Sequence, residues 1–407
     1  MPFSASVKND FAYIHSYGIL RRRTMNPSRL LRTAVCIACT AVSLCSFVPT
    51  TATEVTNVSA VSSVLIGADT LEILFSKDAH RRMPMASTTK LMTALILSEQ
   101  RTPYKTVTVT KEAVCVEGTS MGLAEGDSVS YYGLLVGMLL SSGNDAANAA
   151  AISVAGSVEK FAELMNEKAA ALGMVNSRFV TPSGLDSDGH YSTAYDMALL
   201  ASAVLKDSTL KGIVSSEALT VSFGNPPYDR RLYNHNKLLS RYEYCIGLKT
   251  GFTKKSGRCL VSAAKKNGCT VIAVTLNAPD DWNDHIKLLD YGLDRLKSKD
   301  ITYSFEDDTL PVVGAAASRI RIEAEHFACG CTENTLENMT VKAELLPFVY
   351  SPVTPGQTVG RVDYYINGSL IHSSKIYSLA DVEVYTGEQS FLKRFKRNII
   401  KLVSAFI

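Results

Sequence analysis

The order of strand-like and helix-like segments between residues 53 and 297 restricts the possible folds of this chain more than any other feature. Short apolar runs typical of strands stand at both ends of the region, whereas long Ala- and Leu-rich stretches with helical spacing fill its middle. The strand-like runs are Ser63–Ile66, Glu72–Leu74, Val107–Val109, Leu260–Ala263 and Thr270–Leu276, and the helical stretches are Thr88–Glu99, Tyr132–Leu140, Asp145–Ala155, Val158–Leu172 and Ala194–Leu205. This order predicts an α/β (α+β) fold, in which the two ends build one sheet and a helical subdomain is inserted between them.

Residues 298–386 predict a second, smaller domain made of β-strands. Helical periodicity fades in this region, and short segments of alternating apolar and polar residues replace it. These segments are Arg319–Glu323, Thr340–Leu345, Gly360–Ile366 and Ser369–Ile376. A chain of 407 residues is long enough for more than one core. We therefore expect a larger domain over residues 53–297, followed by a small all-β domain.

Residues 1–52 have the composition of an export signal. Six basic side chains and one acidic side chain lie in this segment, and Arg29 and Arg32 precede the uncharged 16-residue stretch Thr33–Val48. A run of small residues follows and completes the pattern of a cleavable signal peptide. The uncharged stretch is shorter than the about 20 residues of a membrane span, although an uncleaved anchor stays open as the alternative. The mature chain is expected to begin near Thr53 and to act outside the cytoplasm.

The charge of the chain argues against one broad function class. The net charge of +3 at pH 7 comes from the N-terminal segment, because the rest of the chain carries 36 basic and 38 acidic side chains. A nucleic-acid binder needs a basic surface that displaces counterions from phosphates. We therefore expect no nucleic-acid partner.

Residues 387–407 carry the pattern of an amphipathic helix. At about 100° per residue, the apolar side chains fall on one arc of about 120° and the basic ones lie opposite. The apolar arc contains Phe391, Leu392, Phe395, Ile399, Leu402, Val403 and Phe406, and the opposite side contains Lys393, Arg394, Arg397 and Lys401. Such a helix lies in the interface of an anionic bilayer, with docking onto its own domain as the alternative. We predict peripheral attachment to the outer face of the cell membrane through residues 388–407.

Six cysteines follow residue 52, namely Cys115, Cys245, Cys259, Cys269, Cys329 and Cys331. An even number in an exported chain permits disulfides, but a chain of this length does not need them to fold. We expect these residues to act as small buried apolar side chains.

The first of three polar motifs is Ser87-Thr88-Thr89-Lys90, at the start of an apolar helical run. Positions i and i+3 share one face of a helix, so the Lys90 amine can reach the Ser87 hydroxyl. A serine becomes a nucleophile when a neighbouring base removes its proton, and a lysine can be that base once burial or a nearby cation lowers its pKa. Taken alone, this spacing more often belongs to a serine that caps a helix and a lysine that is exposed to solvent.

The second motif is Ser142-Gly143-Asn144, which follows the helical run Tyr132–Leu140. Here a hydroxyl and a carboxamide are expected to project together from a loop. The hydroxyl can pass a proton between a lysine and a leaving amine, and the carboxamide can hold a substrate carbonyl. In isolation, a turn in which Asn144 or Asp145 caps the next helix explains the pattern better.

The third motif is Lys249-Thr250-Gly251, after an apolar run and before Phe252. On a strand beside a cleft, Lys249 and Thr250 would offer a cation and a hydroxyl to a substrate carboxylate. Gly251 would leave room for a substrate to lie along the backbone. An exposed turn with a surface lysine is the alternative for this motif alone.

The three motifs in this order resemble the signature of the penicillin-recognising serine enzymes. The sequence segments around the motifs are similar to those of the low-molecular-weight penicillin-binding proteins, in particular the D-alanyl-D-alanine carboxypeptidases. These segments are Ala86-Ser87-Thr88-Thr89-Lys90-Leu91-Met92-Thr93, Ser141-Ser142-Gly143-Asn144-Asp145-Ala146-Ala147, Gly247-Leu248-Lys249-Thr250-Gly251-Phe252-Thr253 and Tyr233-Asn234-His235-Asn236-Lys237. The resemblance covers residues 58–297 and implies the transpeptidase fold that penicillin-binding proteins share with serine β-lactamases.

The resemblance also implies an acyl-transfer mechanism on peptidoglycan. Ser87, deprotonated by Lys90, would attack the penultimate D-alanine of a stem pentapeptide, release the terminal D-alanine and then be freed by water, with Ser142 relaying a proton to the leaving amine. The substrate-binding residues would be Asn144, Lys249, Thr250, Gly251 and Phe252, and backbone N–H groups of Ser87 and Phe252 would form the oxyanion hole. β-Lactam antibiotics would acylate the same serine, and no metal or cofactor is required.

Three alternatives stay open. A class A β-lactamase favours Ser-Asp-Asn in the second motif, and Glu163-Leu164-Met165-Asn166 has the wrong spacing for its deacylating loop. A D,D-endopeptidase that cuts cross-links shares all three motifs. A penicillin-binding sensor or scaffold would be acylated but barely turn over.

Several further residues are interpreted through the same resemblance. His190 and Asp196 are interpreted as parts of a structural loop below the site rather than of a Ser-His-Asp triad, because a lysine already fills the role of base. Ser256 and Arg258, which flank the third motif, depart from the usual family sequence at the rim of the cleft.

Overall fold

The computed structural model describes residues 57–385, and the predicted export signal and amphipathic segment lie outside these described residues. In residues 57–296 the strands are β1 (Ser62–Gly67), β2 (Ile73–Lys77), β3 (Thr106–Thr108), β4 (Ser128–Ser130), β5 (Ala218–Gly224), β6 (Pro227–Tyr233), β7 (Cys245–Thr253), β8 (Gly257–Lys266) and β9 (Cys269–Leu276). The helices are α1 (Lys90–Ser98), α2 (Lys111–Val114), α3 (Tyr131–Leu139), α4 (Asn144–Ala155), α5 (Val158–Ala171), α6 (Ala194–Lys206), α7 (Ser208–Val214), α8 (Leu238–Arg241) and α9 (Asp281–Arg295), and a 3₁₀ helix over Ala86–Thr89 leads into α1.

The main sheet is built from both ends of this region, as the sequence predicts. Its five antiparallel strands have the order β2-β1-β9-β8-β7, so β1 pairs directly with β9, which comes about two hundred residues later, and β2 pairs with β1 at the edge. Alternate residues of β1 belong to two separate cores, with Val64 and Ile66 on the side of α6 and Leu65 on the side of α9. Because helices cover both faces of the sheet, the sequences of the central strands are continuous apolar runs rather than alternations of apolar and polar residues.

The helical subdomain surrounds α1. Residues Leu91–Leu97 of this helix are all buried, and α3, α4, α5 and α6 pack around it. Three of the surrounding helices begin at a serine or threonine whose side chain accepts a hydrogen bond from a backbone N–H in the first turn, namely Ser130, Ser157 and Thr193. A fully buried α1 fixes the position of the residues at its N-terminus, which carry the first motif.

A second sheet has four strands in the order β3-β4-β5-β6. The predicted strand-like run Val107–Val109 overlaps its first strand, β3. The hairpin of β5 and β6 and helix α9 were not predicted. Most side chains of β6 are exposed and several are charged, so it lacks an apolar run, and α9 is amphipathic and begins with polar residues.

The C-terminal region is a β domain, as the fold class predicts. Its strands are β10 (Lys297–Ile301), β11 (Thr309–Val313), β12 (Arg319–Ala324), β13 (Phe327–Cys331), β14 (Met339–Leu345), β15 (Val349–Tyr350), β16 (Thr358–Ile366) and β17 (Ser369–Ser378), with one short helix, α10 (Glu333–Glu337). Six of these strands form a sheet of order β14-β16-β17-β12-β11-β15, and β10 pairs with β13. Its core contains Leu310, Ile320, Ile322, Val362, Tyr364 and Ile376. Among the helices within residues 57–385, none has both the length and the apolar character to cross a bilayer.

Candidate active site

The first motif stands where the 3₁₀ helix joins α1. Ser87 lies in the 3₁₀ helix, Lys90 is the first residue of α1, and the Lys90 Nζ is 2.9 Å from the Ser87 Oγ. Two glycines allow this arrangement. A Cβ on Gly184, whose φ is +82°, would lie 2.0 Å from the Ala86 carbonyl oxygen, and one on Gly251 would lie 3.0 Å from the Ser87 nitrogen. The serine is therefore enclosed by backbone on two sides.

Lys90 is fully buried and has three polar neighbours. Besides the Ser87 hydroxyl, its Nζ is 2.7 Å from the Asn144 Oδ1 and 2.7 Å from the Ser183 carbonyl oxygen. Burial lowers the pKa of Lys90 well below its usual range, the nearby Lys249 lowers it further, and Asp145 opposes the shift. The geometry suits a neutral amine, whose two N–H bonds can go to the two carbonyl oxygens. Its lone pair then faces the serine hydroxyl.

The second motif is held by the segment that precedes α3. Ser142 has a φ of +58° and its carbonyl accepts a hydrogen bond of 2.6 Å from the Thr119 Oγ1. Asn144 is the first residue of α4 and does not lie in the loop where the sequence analysis put it; its backbone N–H donates to the Thr119 carbonyl. The Asn144 side chain does not cap the helix, because its Oδ1 faces Lys90 and its Nδ2 donates to the Glu117 carbonyl at 2.6 Å.

The third motif lies on β7, at the edge of the main sheet. Lys249 is 1% exposed, its Nζ donates to the Thr250 carbonyl at 3.0 Å, and burial lowers its pKa to about 7. The next three residues, Thr250, Gly251 and Phe252, line the cleft that also contains Ser87. Phe252 is exposed and pairs across the sheet with Arg258.

The three motifs therefore meet in one cleft. Ser87, Ser142, Asn144, Thr250, Gly251 and Phe252 line it, whereas the side chains of Lys90 and Lys249 lie buried behind its wall. Every site residue predicted from the sequence belongs to this constellation. The signal that identified them was the spacing and order of the motifs.

Other residues of the cleft were missed by the sequence analysis or noted without a role. Arg258 donates from Nε and Nη2 to one Asp281 carboxylate oxygen, at 3.0 and 2.7 Å, and its guanidinium lies 5.5 Å from the Trp282 ring centre. Asp281 is 3% exposed and Arg258 is 41% exposed, so the pair holds a cation at the rim. His235 also lines the cleft, and burial with the nearby Lys249 lowers its pKa. No spacing in the sequence links Arg258 to Asp281, since they meet only through the packing of α9.

His190 supports the first motif from below. Val180 N–H donates to its Nδ1 at 3.0 Å, so the proton is on Nε2, which lies 2.9 Å from the Thr89 Oγ1. Burial lowers the pKa of His190 to about 4. Asp196 accepts hydrogen bonds from Asn176 and Ser177 instead of from this histidine. This arrangement differs from a Ser-His-Asp triad, in which the histidine would face the serine.

Within residues 57–385, no cysteine lines the cleft. The six cysteines of the described region are all in the thiol form, four of them buried, Cys245 partly buried and Cys115 exposed. Burial raises the pKa of Cys259 to about 11. In the part of the chain that the structure covers, no group of three or more His, Cys, Asp or Glu residues has the geometry of a metal site.

Comparison with known proteins identifies the family. The D-alanyl-D-alanine carboxypeptidase family of peptidases matches residues 49–280, more than half of the chain. The chain is 29% identical to the D-alanyl-D-alanine carboxypeptidase DacF of Bacillus subtilis strain 168, over 82% of this chain and 88% of that protein. It is 31% identical to DacC of Escherichia coli strain K12, over 81% of this chain and 86% of that protein. A D-alanyl-D-alanine endopeptidase of Pseudomonas aeruginosa is 34% identical, over 53% of this chain and 71% of that protein.

Solved structures agree with these sequence matches. The crystal structure of penicillin binding protein 5 from Haemophilus influenzae aligns with a TM-score of 0.58 at 26% identity, and the alignment covers 80% of this chain and 98% of that one. It therefore spans both the motif-bearing region and most of the β domain. From its sequence, its fold and its cleft, the chain belongs to the D-alanyl-D-alanine carboxypeptidase family of serine peptidases.

Proposed function

We propose that this protein removes the terminal D-alanine from peptidoglycan stem pentapeptides through an acyl-enzyme on Ser87. The observation that carries the proposal is the Lys90 amine, 2.9 Å from the Ser87 Oγ, with two carbonyl oxygens occupying its other hydrogen-bond positions. A neutral amine so placed accepts the serine proton as Oγ attacks the substrate carbonyl. Attack produces a tetrahedral oxyanion, which the backbone N–H groups of Ser87 and Phe252 stabilise.

Collapse of the tetrahedral intermediate breaks the peptide bond. The leaving D-alanine amine takes a proton from the Lys90 ammonium, relayed by the Ser142 hydroxyl, and departs as the free amino acid. Water then attacks the ester on Ser87 and regenerates the serine, with Lys90 again as the base. Asn144 holds the Lys90 amine in place, and it also lines the cleft on the side where the substrate binds.

The terminal carboxylate of the substrate binds at the other end of the cleft. Lys249 and Thr250 supply a charge and a hydroxyl there, and Gly251 keeps the backbone accessible. The pKa of Lys249 is about 7, so it is only partly protonated near neutral pH. Arg258, fixed by Asp281 and 41% exposed, supplies a permanent cation at the same rim. Penicillin, an acylating compound with its own carboxylate, binds in the same way.

The location of the protein is part of the proposal. The sequence of residues 1–52 supports export, and the basic, apolar sequence of residues 387–407 supports attachment to the outer face of the membrane. Within the chain, residues 53–297 form the catalytic domain and residues 298–386 form a spacer that holds it away from the bilayer. This arrangement gives the cleft access to uncross-linked stem peptides near the membrane.

The proposal is tested by D-alanine release. Residues 53–386 and the same protein with Ser87→Ala are incubated with a monomeric muropeptide that ends in D-Ala-D-Ala, and free D-alanine is measured over time. We expect steady release by the parent and none by the variant. Stable acylation by penicillin without release would instead identify a sensor. Cleavage of cross-linked dimers in preference to pentapeptides would favour the endopeptidase, the activity named for one relative.

A further inference from the structure

One end of the β domain exposes large apolar side chains without any charge among them. Two segments meet there, residues 310–318 and 345–360, and neither contains an Asp, Glu, Lys or Arg. Four side chains, here called the aromatic patch, are largely exposed: Val313 (46%), Phe348 (41%), Tyr350 (67%) and Tyr385 (50%). Exposed apolar side chains in a cluster of this kind mark a contact surface.

The backbone holds these four residues together. Val313 and Tyr350 are partners in the parallel pair of β11 and β15, and the rings of Phe348 and Tyr350 are 5.3 Å apart in an edge-to-face arrangement. Tyr385 N–H donates to the Gly314 carbonyl at 2.7 Å, which brings the end of the described chain to the same place. The turn that follows Val313 consists of small uncharged residues, so nothing bulky separates the patch from solvent.

The strands here are apolar on both sides. Val312 and Val349 point into the domain core, whereas Val313 and Tyr350, the next residues along each strand, point outward. A strand with one side in water normally alternates apolar and polar residues. The outward side chains therefore need an apolar surface beyond this domain.

We propose that the aromatic patch inserts into the interface of an anionic lipid bilayer as a second membrane contact beside residues 387–407. The inference rests on the proposed attachment of that segment to the membrane. Tyr385 is part of the patch and only Thr386 separates it from the segment, so the two contacts are continuous along the chain. Aromatic rings with a polar edge favour the depth of the lipid headgroups, and the basic side chains of residues 387–407 pair with anionic lipids.

Two acidic residues set the boundary of the patch. Asp381 and Glu383 are exposed on the segment that leads to Tyr385. Anionic lipids repel them, so residues 381–383 stay on the water side while Phe348, Tyr350 and Tyr385 enter the interface. With contacts at the patch and at the C-terminal segment, the β domain has one fixed orientation on the bilayer rather than free rotation about a single anchor.

The test uses a tryptophan as a depth probe. The only tryptophan of the chain, Trp282, lies at the catalytic cleft and is replaced by W282F. In that background, Y350W places a tryptophan in the patch, and Y104W places one at an 86% exposed site of the catalytic domain as the matched control. The proteins, from residue 53 to the last residue, are mixed with phosphatidylglycerol and phosphatidylcholine vesicles that contain brominated acyl chains.

We expect quenching and a blue shift for the Y350W protein and neither for the Y104W protein. In vesicle sedimentation, F348S/Y350S should weaken partitioning by about tenfold relative to the parent, because two aromatic side chains lose their apolar contact. A Y350W protein that sediments with vesicles but is not quenched would overturn the proposal and direct attention to a protein partner for the patch. Sedimentation of the F348S/Y350S variant, which keeps residues 387–407, tests attachment by that segment separately, and D-alanine release tests the enzyme.

Discussion

Two carbonyl oxygens orient the Lys90 amine, and one of them belongs to the Asn144 side chain. Asn144 accepts one of its N–H bonds and, through Nδ2, is tied to the Glu117 carbonyl, so the carboxamide cannot turn without losing a hydrogen bond. A neutral carboxamide also adds no charge that would raise the pKa of the amine. The asparagine at the end of the second motif thus acts on the base as well as on the substrate.

Asn144→Asp is expected to move the pH dependence of the reaction. A carboxylate 2.7 Å from the Lys90 Nζ favours the ammonium and raises the lysine pKa. Because the base acts only when deprotonated, the acidic limb of the pH profile of kcat/KM moves to higher pH. Activity at pH 7 then falls about tenfold for each pH unit by which the limb moves. A pH–rate profile for D-alanine release checks this. Asn144→Ala, which adds no charge, should lose activity that higher pH does not restore. Identical profiles for the parent and Asn144→Asp would refute the interpretation.

Arg258→Ala is expected to raise KM more than it lowers kcat. The guanidinium is the exposed cation at the carboxylate end of the cleft, and a charged hydrogen bond lost there weakens binding by about tenfold to a hundredfold. Arg258→Lys should recover part of the affinity. A stem peptide with an amidated C-terminus offers no carboxylate, so parent and variant should process it at similar rates. An unchanged KM for the normal substrate would rule out contact between Arg258 and the carboxylate.

The contacts in the cleft differ in how far they could be predicted from the sequence. The spacing of Ser87 and Lys90 on one helix turn predicted their contact, because residues three apart on a helix are neighbours. The Arg258–Asp281 pair depends on the start of α9 lying beside the start of β8, and no local rule encodes it. The bond between Asn144 and Lys90 joins residues 54 positions apart and required the packing of α4 against α1.

At the scale of elements, the cleft depends on how closely backbone segments approach. The turn that contains Gly184 lies against the 3₁₀ helix of Ser87, and β7 lies against its other side. Sequence periodicity identified α1, α3 and the strands β1, β8 and β9 because their buried faces are long and apolar. It missed the β5–β6 hairpin, whose outer strand is exposed and polar.

Gly184→Ala is expected to prevent acylation while Gly156→Ala does not. Both glycines have positive φ, +82° and +84°, so both variants carry a similar backbone strain of about 1 kcal/mol. Only at Gly184 would the new Cβ collide with the Ala86 carbonyl and displace Ser87, and a shift of about 1 Å costs a reaction about a hundredfold in rate. The rate of labelling by a fluorescent penicillin measures the difference. Equal labelling of both variants would show that the 3₁₀ helix tolerates displacement.

At the scale of the whole molecule, two carboxylates join the catalytic region to the β domain. The Gly330 N–H donates to Asp69 at 2.9 Å, and the Thr332 hydroxyl donates to Glu72 at 2.8 Å, with Thr335 bonded to the same carboxylate. Both acids follow β1, and their partners lie on β13 and at the start of α10. The junction combines these bonds with the close packing of Gly330 against Cys269, so loss of the carboxylates is expected to loosen it.

Asp69→Ala with Glu72→Ala is expected to loosen this junction and leave the chemistry intact. Neither residue lies near the cleft, so D-alanine release from a soluble muropeptide should be unchanged. The loop between β10 and β11, which follows the junction, should be cut about tenfold faster in limited proteolysis. The reason is that loss of the hydrogen bonds accepted by the two carboxylates favours local opening. Glu163→Ala with Glu167→Ala removes the same charge from the exposed side of α5 and is the matched control. If the junction variant and the control are cut at equal rates, the β10–β13 ladder and the apolar contacts hold the two regions together without the carboxylates.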